Sequence, residues 1–291
     1  MTSAASGIAA MIAVCAIWGL SPLYYGLLAH VPSDQVLAHR GVWALALFLP
    51  IAALRGDLGA LCRLLGDGRQ RLPLMTASAA IAANWFLFIL ATAIDRVTES
   101  SLGYYIFPLM SVAVGAAVLG ERLSFRQWAA VGLAVAAVVV LGAGLGALPW
   151  ISLGLALTMT LYALMKRYIA AGPLVSVTAE AVWIAPASLV WIVWSGSYGH
   201  DAATWALLVG MGPITAIPLM LFSFAAQRVS MGLQGFLMYL NPTIQGAVAV
   251  MILNEALTGW HMIAFPLIWA ALFLYSVEAV RKARAPVAPA P

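Results

Sequence analysis

Charge is scarce in this 291-residue chain: Asp, Glu, Lys and Arg together make up 8% of it, against 64% hydrophobic residues. A soluble globular protein carries about 25% charged residues. So few charges cannot clothe a chain of this length in a water-facing shell, which leaves a polytopic membrane protein. The mean hydropathy of +1.00 agrees. Cysteine is almost missing. Cys15 lies in an apolar run and Cys62 in a basic loop, with no C-x-x-C and no Cys/His cluster. Neither a disulfide framework nor a zinc site is expected, and no cofactor. The net charge of +4 is not gathered into a Lys/Arg run with interleaved aromatics. That argues against a nucleic-acid partner and for basic cytoplasmic loops. Also missing are a P-loop, an H-E-x-x-H pair, a G-x-S-x-G elbow and a Cys/His nucleophile pair at readable spacing. These gaps speak against an ATP-driven pump and an intramembrane enzyme. No ring of like charges or TVGYG filter marks a channel. The first apolar run lacks a basic leader and is too long for the core of a signal peptide.

What is present is apolar length. A window of about 19 residues marks ten runs, near 7–29, 36–54, 73–94, 100–119, 127–146, 149–168, 174–194, 204–224, 232–252 and 261–280. Each can cross a hydrocarbon core of about 30 Å as a helix. Helices are required because lipid cannot satisfy backbone groups, and the runs lack the alternation of a transmembrane barrel. Of the 14 Lys and Arg residues, all but Arg40 and Arg96 fall in breaks on the side of the N-terminus. Such a bias puts both termini in the cytoplasm. His30, His39, His200 and His261 then fall on the outer side, where their dispersed spacing builds no site. The tail after Arg284, APVAPAP, reads as disordered.

The chain also repeats itself. Pro108–Glu121 reads PLMSVAVGAAVLGE and Pro242–Glu255 reads PTIQGAVAVMILNE, an interval of 242 − 108 = 134 residues. Arg96-Val97-Thr98 is echoed by Arg228-Val229-Ser230 with a two-residue slip. Five spans precede residue 147 and five follow. An odd number per half turns the second copy upside down. The expected units are residues 1–146, an inverted copy at 147–284, and a tail at 285–291. Two such halves can exchange conformations, opening first to one side and then to the other, with substrate near the midplane between them.

An ordered series of residues carries a family resemblance. It comprises Ile17-Trp18-Gly19, His39-Arg40 with Trp43, Asn84-Trp85, Glu99-x-Ser101-Leu102-Gly103-Tyr104, Gly120-Glu121-Arg122, and Glu180 with Trp183 and Pro186. Together these resemble the drug/metabolite transporter superfamily and, more narrowly, the RarD branch of its EamA-type carriers. The resemblance implies a ten-helix carrier of small metabolites in the bacterial inner membrane, with members linked to amino-acid or drug export. Two positions depart from the family's pattern. Phe107 stands where the family tends to place Asn before the first repeat proline, and Asn241 where it tends to place Gly before the second. An amide in the site would thus have moved to the other half.

An ionisable residue inside a span costs up to about 3 kcal/mol on the insertion scale, so each is a functional candidate. Glu180 lies inside its span with Trp183 at i+3 on the same face. It suits a substrate ammonium held by charge and the indole face, a transported proton, or a bond to a neighbouring helix. Asn84, beside Trp85, suits a ligand or a helix–helix bond. Tyr104, Tyr105, Tyr239 and Asn241 flank Pro108 and Pro242, two expected hinges that free backbone carbonyls one turn upstream. Trp18 and Tyr162 occupy comparable places in their spans. All ten side chains, from Trp18 to Asn241, are candidate substrate contacts. At the outer face His39 and Arg40 open a span, Arg40 suiting a substrate carboxylate or an interfacial anchor. Glu99 joins Asp95 and Arg96 in an ion-pair cluster. Glu121 and Glu255 end equivalent spans, as caps or as gates.

The expectation is an all-α membrane protein of ten helices in two inverted repeats. It would act by alternating access as an exporter of amino acids or similar amphipathic compounds, with no enzymatic activity. A drug or vitamin permease of the same fold is the alternative. Its expected partners are the lipid bilayer and the small-molecule substrate, with proton coupling left open, and it is expected to act as a monomer.

Overall fold

The computed structural model describes residues 3–120, 123–146, 148–226, 228–229 and 231–284. Every regular element among them is helical. In chain order the helices are α1 (Ser3–Gly26), α2 (Ser33–Leu54), α3 (Leu58–Gly66), α4 (Gly68–Ala93), α5 (Val97–Leu119), α6 (Phe125–Leu145), α7 (Trp150–Lys166), α8 (Pro173–Trp194), α9 (Ala202–Ala226), α10 (Met231–Met238), α11 (Leu240–Met251) and α12 (Gly259–Arg284). Eight of them, all but α3, α7, α10 and α11, are long and apolar enough to cross a bilayer, and α7 is a shorter apolar helix of 17 residues. The expected tail at 285–291, along with Glu121, Arg122 and Ser230, lies outside the described residues.

Local chemistry sets the ends of these helices. α5 stops at Gly120, whose φ of +67° is a left-handed conformation that glycine adopts without a Cβ penalty, and whose N–H reaches back to Gly115 O. α6 starts with a capping box: Ser124 Oγ accepts from Gln127 N at 3.4 Å and Gln127 Oε1 accepts from Ser124 N at 3.0 Å. Asp201 precedes α9 and accepts from Thr204 N at 2.6 Å, a bond that holds its carboxyl below the usual carboxylate range.

Two elements differ from the sequence reading. The segment carrying Cys62, expected as a basic loop, is the short helix α3, which buries Leu61 and Leu64 against Leu74 and Ala77 of α4 and Val175 and Ala179 of α8. Nine residues are too few for a span-length window to register. The run at 232–252, expected as one span, is two helices jointed at Tyr239. Pro242 has no N–H to give Met238 O, so the ladder lapses there and resumes with Thr243 N on Tyr239 O at 3.3 Å. Cys15 of α1 donates its thiol to the nearby Leu237 O at 3.3 Å. Pro108, in the matching place of α5, leaves that helix unbroken from Val97 to Leu119.

The helices pack across the middle of the chain. α1 packs on α9 and α11, while α7 packs on α4 and α5; α2 packs on α8 and α9, while α8 packs on α2 and α4. α5 meets α11, and α6 meets α12. Exchange α1 with α7, α2 with α8, α4 with α9, α5 with α10–α11 and α6 with α12, and this set of neighbours returns itself. Lipid supplies no hydrophobic drive between helices, so close approach at small residues matters. A Cβ on Gly103 of α5 would stand 2.8 Å from Ser152 O and 2.9 Å from Leu155 Cβ of α7. On Gly19 of α1 it would stand 2.6 Å from Ile244 Cβ and 3.2 Å from Asn241 O of α11.

Gly103→Ala should therefore lower the thermal unfolding midpoint in detergent, by an overpacking cost of about 1–3 kcal/mol. Gly132→Ala, whose new methyl meets nothing within 4 Å, should leave the midpoint unchanged or raise it slightly. Equal behaviour of the two variants would show that α5 and α7 do not meet this closely.

Candidate functional site

Between the two sets of helices lies a cavity of about 1060 Å³, walled from the first half by α1, α2, α4 and α5 and from the second by α7, α8, α9, α11 and α12. Its wall runs from the buried Tyr25, Phe88 and Gln245 to the exposed Arg55, Arg167 and Pro173. Beyond the buried end the molecule is closed by polar contacts between helices. Glu255 caps α5, accepting from Val97 N at 2.5 Å and Thr98 N at 2.7 Å. A carboxylate there meets orphan N–H groups and the positive end of the helix dipole together. Glu99 pairs with Arg96, and Ser152 Oγ donates to Glu99 O at 2.7 Å. Ser101 Oγ donates to Pro242 O at 2.7 Å, tying α5 to α11.

Two charged residues inside the wall occupy matching places. Arg40 is the eighth residue of α2 (40 − 33 + 1) and Glu180 the eighth of α8 (180 − 173 + 1), in helices of 22 residues each that pack on one another. Their surroundings differ. Both oxygens of Glu180 are engaged: Oε1 accepts from Lys166 Nζ at 2.5 Å and Ser176 Oγ at 3.0 Å, and Oε2 from Tyr162 OH at 3.0 Å. The Arg40 guanidinium instead lies over the Trp85 ring at 4.1 Å from its centroid and faces Tyr25 at 5.6 Å. No carboxylate pairs with it among the described residues. Asn84 bridges three helices: Nδ2 donates to Leu155 O and Thr158 Oγ1 of α7, both at 3.0 Å, and Oδ1 accepts from Tyr104 OH of α5 at 3.0 Å.

The structure gathers most of the expected contacts into this wall: Trp18, Asn84, Trp85, Tyr104, Tyr162, Glu180, Tyr239 and Asn241, with Pro108 and Pro242 beside them. Two lie elsewhere. Trp183 is 38% exposed and off the wall, because a 60° step around α8 is enough to leave the cavity. Tyr105 turns into the cluster between α5, α6 and α12, where its hydroxyl meets Thr243 Oγ1 at 2.5 Å. His39 is buried and ties α2 to the loop after α8 through Ser197 O at 2.9 Å. Glu99 and Glu255 serve the closure, and Glu121 lies outside the described residues. Arg40, which the sequence suits to a substrate carboxylate or an interfacial anchor, is in the cavity wall. Lys166 and Ser176 were not anticipated. Lys166 counted only toward the basic-loop bias, although as the last residue of α7 its long side chain reaches Glu180 two turns into α8.

The profile of the EamA-like transporter family matches residues 5–143. Protein RarD of Streptomyces exfoliatus is 40% identical over 92% of this chain and 87% of its own length. An uncharacterized transporter of Pseudomonas aeruginosa, PA0485, is 37% identical over 92% of each. A solved crystal structure of 19% identity covers 97% of this chain and 99% of its own at a TM-score of 0.60, a likeness of fold.

The Lys166–Glu180 pair makes a prediction of its own. Lys166→Met strands a buried carboxylate and should destabilise the protein by about 2–4 kcal/mol, slightly under the usual range for broken buried pairs because Lys166 borders the cavity. Adding Glu180→Gln should recover most of that loss in a thermal melt. A double variant no more stable than Lys166→Met would show that the pair is not the source of the effect.

Proposed function

Because the chain belongs to the EamA-like transporter family and, within it, to the RarD branch, we propose that it is a secondary carrier. It moves small amphipathic organic metabolites, amino acids among the candidates, out of a bacterial cell by alternating access. Its membrane segments are the eight long helices, α7, and the jointed pair α10–α11, ten in all. They form two inverted repeats, residues 1–146 and 147–284, in the inner membrane, with both termini in the cytoplasm and the monomer as the working unit.

The observation that carries this reading is a cavity between the halves that ends blindly against a polar closure. The neighbour set that survives exchange of the halves supports the repeats, as does the 134-residue interval between the two proline-to-glutamate segments. The exposed end of the wall bears Arg55 and Arg167, and basic flanks mark the cytoplasmic side. The structure is thus read as the inward-open state. To open outward, Val97 N and Thr98 N must part from Glu255, and the inner ends of α2, α7 and α8 must draw together. The barrier between states is kept low because each half exchanges one set of polar contacts for a comparable set.

Purified protein in liposomes should take up a labelled substrate saturably, and substrate trapped on the far side should accelerate that uptake. A panel of labelled amino acids, run with and without a pH gradient, is the first screen. Flux that rises linearly with concentration and ignores trapped substrate would point to a pore. Conversion of the probe into a new compound would point to an enzyme.

A further inference from the structure

The two charged positions that match in α2 and α8 do not have matching surroundings. Glu180 is satisfied by Lys166, Ser176 and Tyr162. Arg40 has neutral company only. Its guanidinium is stacked on Trp85, its Nε is buried with no hydrogen-bond partner, and the residue is 9% exposed. A guanidinium at this depth is costly unless it meets an acceptor; the Tyr25 side chain hydrogen-bonds to it, but no carboxylate among the described residues answers its charge. The place that Lys166 takes beside Glu180, at the last residue of α7, is held in α1 by Gly26 with Tyr25 before it. Neither can act as a counter-ion.

We propose that Arg40 is an anion subsite at the blind end of the cavity, which takes the carboxylate of an organic monoanion whose aromatic or apolar body lies along the cavity wall. This rests on the carrier reading of the same cavity. The fork of Arg40 binds both carboxylate oxygens, as guanidinium and carboxylate geometry allow. Trp85 and Tyr25 hold the guanidinium in place from its faces and lose little entropy when the ligand arrives. Glu180, the only acidic residue of the wall among the described residues, has both oxygens engaged, so the described wall offers no ready partner for an ammonium group. The basic residues at the exposed end, Arg55, Arg167 and Arg228, raise the local concentration of anions at the mouth. The preferred substrate therefore needs its carboxylate and does not need an α-amino group.

Four matched probes separate these demands: 3-phenylpropionate, 3-phenylpropanamide, 2-phenylethylammonium and L-phenylalanine, each titrated calorimetrically into the purified full chain. The carboxylate should bind about 10-fold or more tightly than the neutral amide, the size of one charge-assisted contact. The ammonium should bind weakest, and phenylalanine no tighter than the carboxylate. In Arg40→Gln the preference for carboxylate over amide should vanish; in Arg40→Lys, which keeps the charge and loses the fork, it should shrink. Equal affinity for carboxylate and amide in the unaltered protein overturns the subsite, whatever the variants do to folding. So does tightest binding of the ammonium, or no binding of any probe at millimolar concentration. Counterflow in liposomes keeps the two readings apart. Carboxylate that binds without exchanging leaves the subsite and removes the carrier. Exchange of the amide or ammonium in preference to the carboxylate leaves the carrier and removes the subsite.

Discussion

Hydrocarbon offers no partner to a peptide N–H or C=O, so every lapse in a helix of this protein has to be answered by another helix. The contacts at the centre of the structure are those answers. Glu255 meets the first N–H groups of α5. Cys15 meets Leu237 O beside the joint at Tyr239, and Asn84 and Ser152 reach carbonyls of facing helices. These bonds do what apolar burial does in a soluble core: they select one arrangement among many that are equally greasy. They also explain why the polar residues concentrate along the cavity, where irregular backbone and unmatched charge are tolerated.

The same constraint shapes the chemistry of the wall. A charge that belongs to the architecture comes with its neutralising partners, as Glu180 does. A charge without partners is left for something that comes and goes. Exposed apolar residues such as Val135, Val139 and Phe273 face outward from α6 and α12 and need no further account in a chain of this class.

Much of this was legible in the sequence, and the reasons it was or was not are physical. Span length is imposed by the bilayer, so hydropathy alone located the long helices. α3 escaped because an amphipathic segment of nine residues has neither the length nor the uniform apolarity of a span. Aromatic and amide residues next to Pro108 and Pro242 pointed to the cavity because helix irregularity and cavities go together in lipid. Rotation about each helix axis was the missing quantity. Trp183 and Tyr105 share a stretch with residues that line the wall, yet one faces out and the other faces a different cluster. The role of Lys166 depended on where its side chain reaches from the end of α7, which no count of loop charges reports. The two repeat prolines look alike in sequence, yet the helix is jointed before Pro242 and α5 runs on through Pro108.

That last difference has a thermodynamic consequence. One arm of the molecule is jointed at Tyr239 and its counterpart is a continuous rod, so under the proposed alternating access the two states are not reflections of each other and have unequal free energies. Unequal state energies cannot change where a passive exchange comes to rest, since the ratio of forward to backward rates is fixed by the solute alone. They do change how the cycle divides its time. Such a carrier dwells facing one side, and its apparent affinity differs between the two faces by the same population factor. Its half-saturation would then be reached at different concentrations inside and outside the cell, an inherent kinetic polarity.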